Sequence, residues 1–121
     1  MEKVLSFVGR FIFALPFLLF GANHLMSADQ MAPMVPAYIP GGVFWIYFTG
    51  AAMILAALAI ITGKQGRAAC FGLAVMLLVF IVAVHSPGLS NPQMKMMSMI
   101  NLLKDTALMG ACLFMAGTFK K

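Results

Sequence analysis

Four apolar stretches of roughly helix-spanning length leave this chain few ways to fold. They cover residues 4–24, 43–61, 68–85 and 97–118. A helix needs about 20 residues to cross the hydrocarbon of a bilayer, so each stretch reads as a span. Two of them are on the short side, which implies a thin bilayer or upright helices. The chain is 63% hydrophobic and only 9% charged, with a mean hydropathy of +1.00, far outside the range of soluble domains. Its connections are short and no hydrophilic block is present. Residues 1–121 therefore read as a single domain, an all-α bundle of four transmembrane helices. The first stretch reads as a true helix and not a cleaved leader. Its apolar run is too long, it contains Arg10, and no clean small-residue cleavage motif follows Gly21.

A net charge of +5 would invite nucleic acid in a soluble protein. Here the basic residues sort by side, and nucleic-acid binding is set aside. If the helices alternate, Lys3, Lys64, Arg67, Lys120 and Lys121 share one face and Lys95 alone falls opposite. The excess of positive charge then puts both termini in the cytoplasm. Residues 26–42 and 86–96 become the outer connections. Tyr38, Phe44, Trp45 and Tyr47 gather where the second helix enters, as an interfacial belt should. Pro33, Pro36 and Pro40 deny the longer connection a regular helix, and its aromatic, mostly uncharged make-up suits an ordinary surface connection or, alternatively, a lid with Tyr38 over the bundle.

Arg10, Lys104 and Asp105 lie inside the apolar stretches, where an ionisable group costs several kcal/mol unless it pairs or meets water. On the first helix, Arg10, Ala14, Phe17, Gly21 and His24 recur at spacings of four and three and form one stripe. Pro16 predicts a kink near mid-membrane. On the fourth helix, Asn101, Asp105, Leu108 and Cys112 form a second stripe, with Lys104 beside it. Turning both stripes inward spares every polar group from lipid. A rise of about 1.5 Å per residue leaves roughly 8 Å of depth between Arg10 and Asp105, which an extended arginine can nearly cover. An Arg10–Asp105 pair is therefore expected. Asn23, His24, His85 and Asn101 share the outer half of the bundle. Arg10, His24, His85, Asn101, Lys104 and Asp105 are the candidate ligand-binding residues, expected around one cavity that opens outward.

Small residues at Gly50, Ala51, Ala52, Ala68, Ala69, Gly72, Gly110, Ala111 and Gly117 allow close helix packing. Cys70 and Cys112 fall at similar depths but form no CxxC, and read as small buried apolar residues.

Several local motifs resemble those of the DoxX family of small four-helix bacterial membrane proteins. They are Gly9-Arg10, the FGANHL ending the first helix, the VPAYIP loop, Thr49-Gly50, the VHSPG after the third stretch, and NLLKDTALMGACL in the fourth. Their order and spacing span nearly the whole chain. Members often carry a glutamate three residues beyond the Thr-Gly pair, where this chain has Met53. The resemblance implies a bacterial inner membrane, quinones, and thiol or sulfur redox metabolism, as in the membrane subunit of thiosulfate:quinone oxidoreductase. It also implies links to oxidative-stress complexes.

Three functions follow as expectations. The first is a redox-linked subunit that binds a quinone or similar amphipathic ligand, with His24 or His85 exchanging protons near neutrality. No haem or iron–sulfur motif is present, so electrons would pass through the ligand or a redox enzyme partner. The second is a Cu(I)-binding or transport protein, since thioether sulfur is a soft ligand and Met94, Met96, Met97 and Met99 cluster in the MKMMSM run. The third is a non-catalytic scaffold for an enzyme partner, because no nucleophile–base pair is visible. The lipid bilayer is the partner common to all three, and a second copy of the chain is compatible with each.

Overall fold

A computed structural model describes residues 1–35 and 37–119, apart from the side chain of Met34. Pro36, Lys120 and Lys121 lie outside the described residues, and with them part of the expected loop stiffening and of the basic end. Four long helices carry the fold: α1 (Glu2–Met26), α2 (Val43–Thr62), α3 (Gly66–Gly88) and α4 (Lys95–Ala116). No strand occurs among the described residues. All four helices are long and apolar enough to cross a membrane, and the protein is a multi-pass membrane protein. The third span extends to 23 residues, so the expectation of a short third helix is corrected. Helix α1 continues unbroken through Pro16.

The broadest helix interface is α1 with α2, followed by α3 with α4 and then α2 with α3. Helices α1 and α4 barely meet along their backbones. Large apolar residues such as Leu19, Leu55, Val75 and Phe114 point outward and are exposed. A water-soluble surface could not carry that many. Lipid requires them.

Packing divides the bundle lengthwise. Ala14, Ala57, Ile60, Cys70, Leu73, Cys112 and Ala116 fill one half and are almost completely buried. The cysteines are both free and belong to this core, as small apolar residues do. The other half is hollow and is lined by larger side chains such as Phe17, Phe20, Trp45 and Phe80.

Among the described residues, one glycine pair brings two spanning helices into backbone contact. A Cβ added at Gly21 would lie 2.7 Å from the Gly50 carbonyl oxygen, and one at Gly50 would lie 3.0 Å from that of Gly21. The α1–α2 crossing therefore depends on both. Gly72 and Gly110 would meet nothing within 4 Å and are exposed, which corrects their assignment to helix interfaces. Between α2 and α3 the chain turns through Gly63, at φ 82°, whose N–H caps the Ala59 carbonyl. Glycine takes that left-handed conformation without penalty.

The longer connection contains a single helical turn, Ala28–Met31, and a 3-10 turn, Ala32–Met34, with Pro33 at its start. Among the described residues of this connection no longer helix forms, in keeping with the effect of proline on helices. Phe44, Trp45 and Tyr47 are all exposed at the start of α2, where an interfacial belt belongs.

Candidate functional site

The hollow half of the bundle forms a partly open cavity of about 460 Å³, within the range that small-molecule sites occupy. Phe17, Met53 and Leu77, each 2–3% exposed, form its floor against the packed core. Met53 closes the floor with a thioether and brings no charge to it. The wall is mainly apolar. Its polar groups are His24, Thr49, His85, Asn101, Lys104 and Asp105.

Asp105 is the centre of the polar cluster. Its carboxylate is 6% exposed, and Oδ2 lies 2.7 Å from His85 Nε2. Lys104 Nζ lies 3.9 Å from the other carboxylate oxygen and is about half exposed. The lysine also sits 5.3 Å from the centre of the Phe20 ring, which bridges the thin seam between α1 and α4. A buried carboxylate needs such partners, since an unpaired one is prohibitively costly in this medium.

Local backbone geometry puts His85 in place. Residues Ile81–His85 form a π-helical turn inside α3, a feature that often marks functional sites. Its cause can be read from Pro87. The proline lacks an N–H, and its ring crowds the carbonyl four residues back, that of Ala83. Widening the helix there relieves the crowding and rotates His85 toward α4.

His24 also faces the cavity. Its Nδ1 donates to the Phe20 carbonyl at 2.7 Å, which fixes the ring on its own helix. Thr49 bonds back to the Trp45 carbonyl at 2.8 Å and offers little to a ligand. Met31, Val35 and Ile39 cover the cavity from the long connection. Tyr38, expected over the mouth, is 74% exposed and does not line it. Asn23 is exposed as well, its amide 3.9 Å from Met31 Sδ.

Five of the six candidate ligand-binding residues therefore share one cavity: His24, His85, Asn101, Lys104 and Asp105. Arg10 does not. Its Nη1 donates to the Ile60 carbonyl at 3.4 Å, among the last carbonyls of α2, and its guanidinium lies 5.9 Å from the Phe7 ring and 5.5 Å from the Phe119 ring. Arg10 ties α1 to the ends of α2 and α4, where a cation favours the helix dipole. The expected Arg10–Asp105 pair is thus corrected. Arg10 lies seven residues below Phe17 on the cavity floor, roughly 10 Å along the axis, and Asp105 finds His85 at its own depth.

Met94, Met96, Met97 and Met99 are all exposed at the start of α4. At 3.6 residues per turn they spread around the helix axis and do not converge on one point. Among the described residues no group of three His, Cys, Asp or Glu side chains could hold a metal ion.

Fold and site together define a four-helix membrane protein with an apolar internal cavity and a polar cluster on its wall. The chain belongs to the family described as Domain of unknown function (DUF8561), whose model matches residues 13–98. That match takes in α2 and α3 whole, the C-terminal half of α1 and the first turn of α4. Comparison with curated proteins and with solved structures finds no match.

Proposed function

We propose that the protein holds a quinone or similar amphipathic molecule in this cavity, as the ligand-binding membrane component of a redox system. The observation that carries the reading is the cavity itself, apolar on most sides with Asn101, Lys104 and the His85–Asp105 pair on its wall. An apolar ring system fits the wall. A carbonyl oxygen accepts from Lys104 Nζ, a charge-assisted bond, and from the Asn101 amide. An isoprenoid or alkyl tail leaves through the thin seam between α1 and α4. The resemblance to DoxX proteins supports the choice of quinone.

The chain carries its own reporter. Trp45 is its single tryptophan and lines the cavity, so a bound quinone should quench its fluorescence. In nanodiscs, a short-tailed benzoquinone should quench Trp45 saturably. Asn101→Leu and Lys104→Met should each weaken binding by roughly tenfold, the effect of losing one hydrogen bond, with little change in Tm. Equal affinity in both variants and the parent would discard the proposal.

The same reading places the chain in a bacterial inner membrane with both termini cytoplasmic. Lys3, Lys64 and Arg67 at one end against Lys95 at the other support it. Gln65 and Ser90 are exposed in opposite connections. With the native cysteines replaced, a membrane-impermeant thiol reagent applied to intact cells should label a cysteine at position 90 and spare one at 65. The reverse pattern inverts the orientation.

A further inference from the structure

The imidazole of His85 is held through one nitrogen only. Its Nε2 lies 2.7 Å from Asp105 Oδ2, and a carboxylate can only accept, so Nε2 carries the hydrogen and donates. In the neutral ring Nδ1 then keeps its lone pair. Nδ1 makes no hydrogen bond to any described residue, and unlike Arg10 Nε it is not sealed from access. Lys104 Nζ stands 3.9 Å from Asp105 Oδ1, beyond hydrogen-bond length, so its N–H groups remain available to a ligand. The Asn101 amide has no partner among the described residues and lines the same cavity.

A lone-pair acceptor beside a free cationic donor is what an ionising O–H group needs. The acceptor takes the proton, and the donor holds the oxygen left behind. Asp105 lies against both groups and supplies the counter-charge when the imidazole becomes cationic. A carbonyl ligand uses the donors alone and leaves Nδ1 idle. The other groups around the cavity lack this combination. His24 on α1 donates from Nδ1 to Phe20 and keeps a lone pair on Nε2, but among the described residues no carboxylate lies within 4 Å of it to balance a cationic ring. Helix α2 contributes no titratable side chain to the cavity, and Met31, Val35 and Ile39 carry no charge.

Building on the quinone-type reading above, we infer that the favoured ligand is the hydroxyl-bearing form, an amphipathic phenol or quinol whose proton passes to His85. The ligand O–H bond breaks and an N–H bond forms at Nδ1. The electron pair stays on oxygen, as a phenolate held by Lys104 Nζ and the Asn101 amide, and no oxidant takes part. His85 and Lys104 touch the ligand. Asp105 is a positioning residue.

The test uses 4-nitrophenol carrying an octyl chain, with the protein in nanodiscs at a pH where the free dye is mostly neutral. Quenching of Trp45 reports occupancy, and the long-wavelength phenolate band reports ionisation. At saturation the parent protein should show the phenolate band. His85→Gln keeps an amide donor for Asp105 but removes the basic nitrogen. It should still bind the dye while the ionised fraction falls about tenfold, the lower end of what nearby charge and hydrogen bonding do to an acid. Lys104→Met, at a half-exposed position, should lower the same band at saturating dye. Bound dye that stays neutral on the parent, or an unchanged phenolate band in His85→Gln, overturns this inference and leaves the cavity reading intact. Absence of quenching by both the dye and the benzoquinone removes both.

Discussion

Replacing His85 by leucine should destabilise the bundle by about 3–5 kcal/mol, the cost of leaving a buried carboxylate without its main partner. The Asp105 carboxylate is 6% exposed, and after this change only Lys104, 3.9 Å away and half in the open, remains beside it. Asp105→Leu should cost less, about 1–3 kcal/mol, because a histidine can stay neutral and forfeits only an acceptor. The double variant should recover most of the larger loss, since two apolar side chains of suitable size satisfy each other. Arg10→Met should add independently to Asp105→Leu, because the two residues share no partner. Thermal melting of the five variants beside the parent in one detergent measures all of this. Additive losses for His85 and Asp105, or coupling between Arg10 and Asp105, would show that the pairing has been assigned wrongly.

That correction shows where the sequence can and cannot be read. Span positions were legible because long apolar runs have one physical solution in lipid. The stripes were legible too. Ala14, Phe17, Gly21 and His24 turn inward together, as do Asn101, Asp105 and Leu108, because helical spacing fixes which side chains share a face. Pairing across helices depends on relative depth and rotation, and composition constrains neither. Arg10 and Asp105 were matched by charge and reach, whereas the π-turn at Ile81–His85 brought a nearer partner to the carboxylate. Pro87 was the available signal for that turn, since a proline inside a helix must be accommodated by the residues before it. The contribution of Met31, Val35 and Ile39 had no comparable signal, because an irregular connection has no periodicity to say which side chains face inward.

Gly21→Val should be the most damaging single substitution outside the polar cluster, costing about 3 kcal/mol or more, the upper end of overpacking. A Cβ at Gly21 would lie 2.6 Å from Ile54 Cγ1 and 2.7 Å from the Gly50 carbonyl oxygen. The isoleucine side chain can move, but the carbonyl belongs to the backbone of α2, so relief requires the helices to part. Gly50→Val should act differently, because its Cβ would lie 2.7 Å from His24 Cβ. Pressure there falls on a residue that lines the cavity, so quinone-type binding should weaken along with stability. Gly72→Ala and Gly110→Ala, where a Cβ meets nothing, should be neutral or mildly stabilising, since alanine favours helix over glycine by about 1 kcal/mol. Melting curves for the four variants, read beside Trp45 quenching, separate the two effects. If the Gly21 and Gly72 variants melt alike, α1 and α2 do not cross at the Gly21–Gly50 contact. The helix pair that carries His24 and Trp45 would then have to be placed afresh, and with it one wall of the cavity.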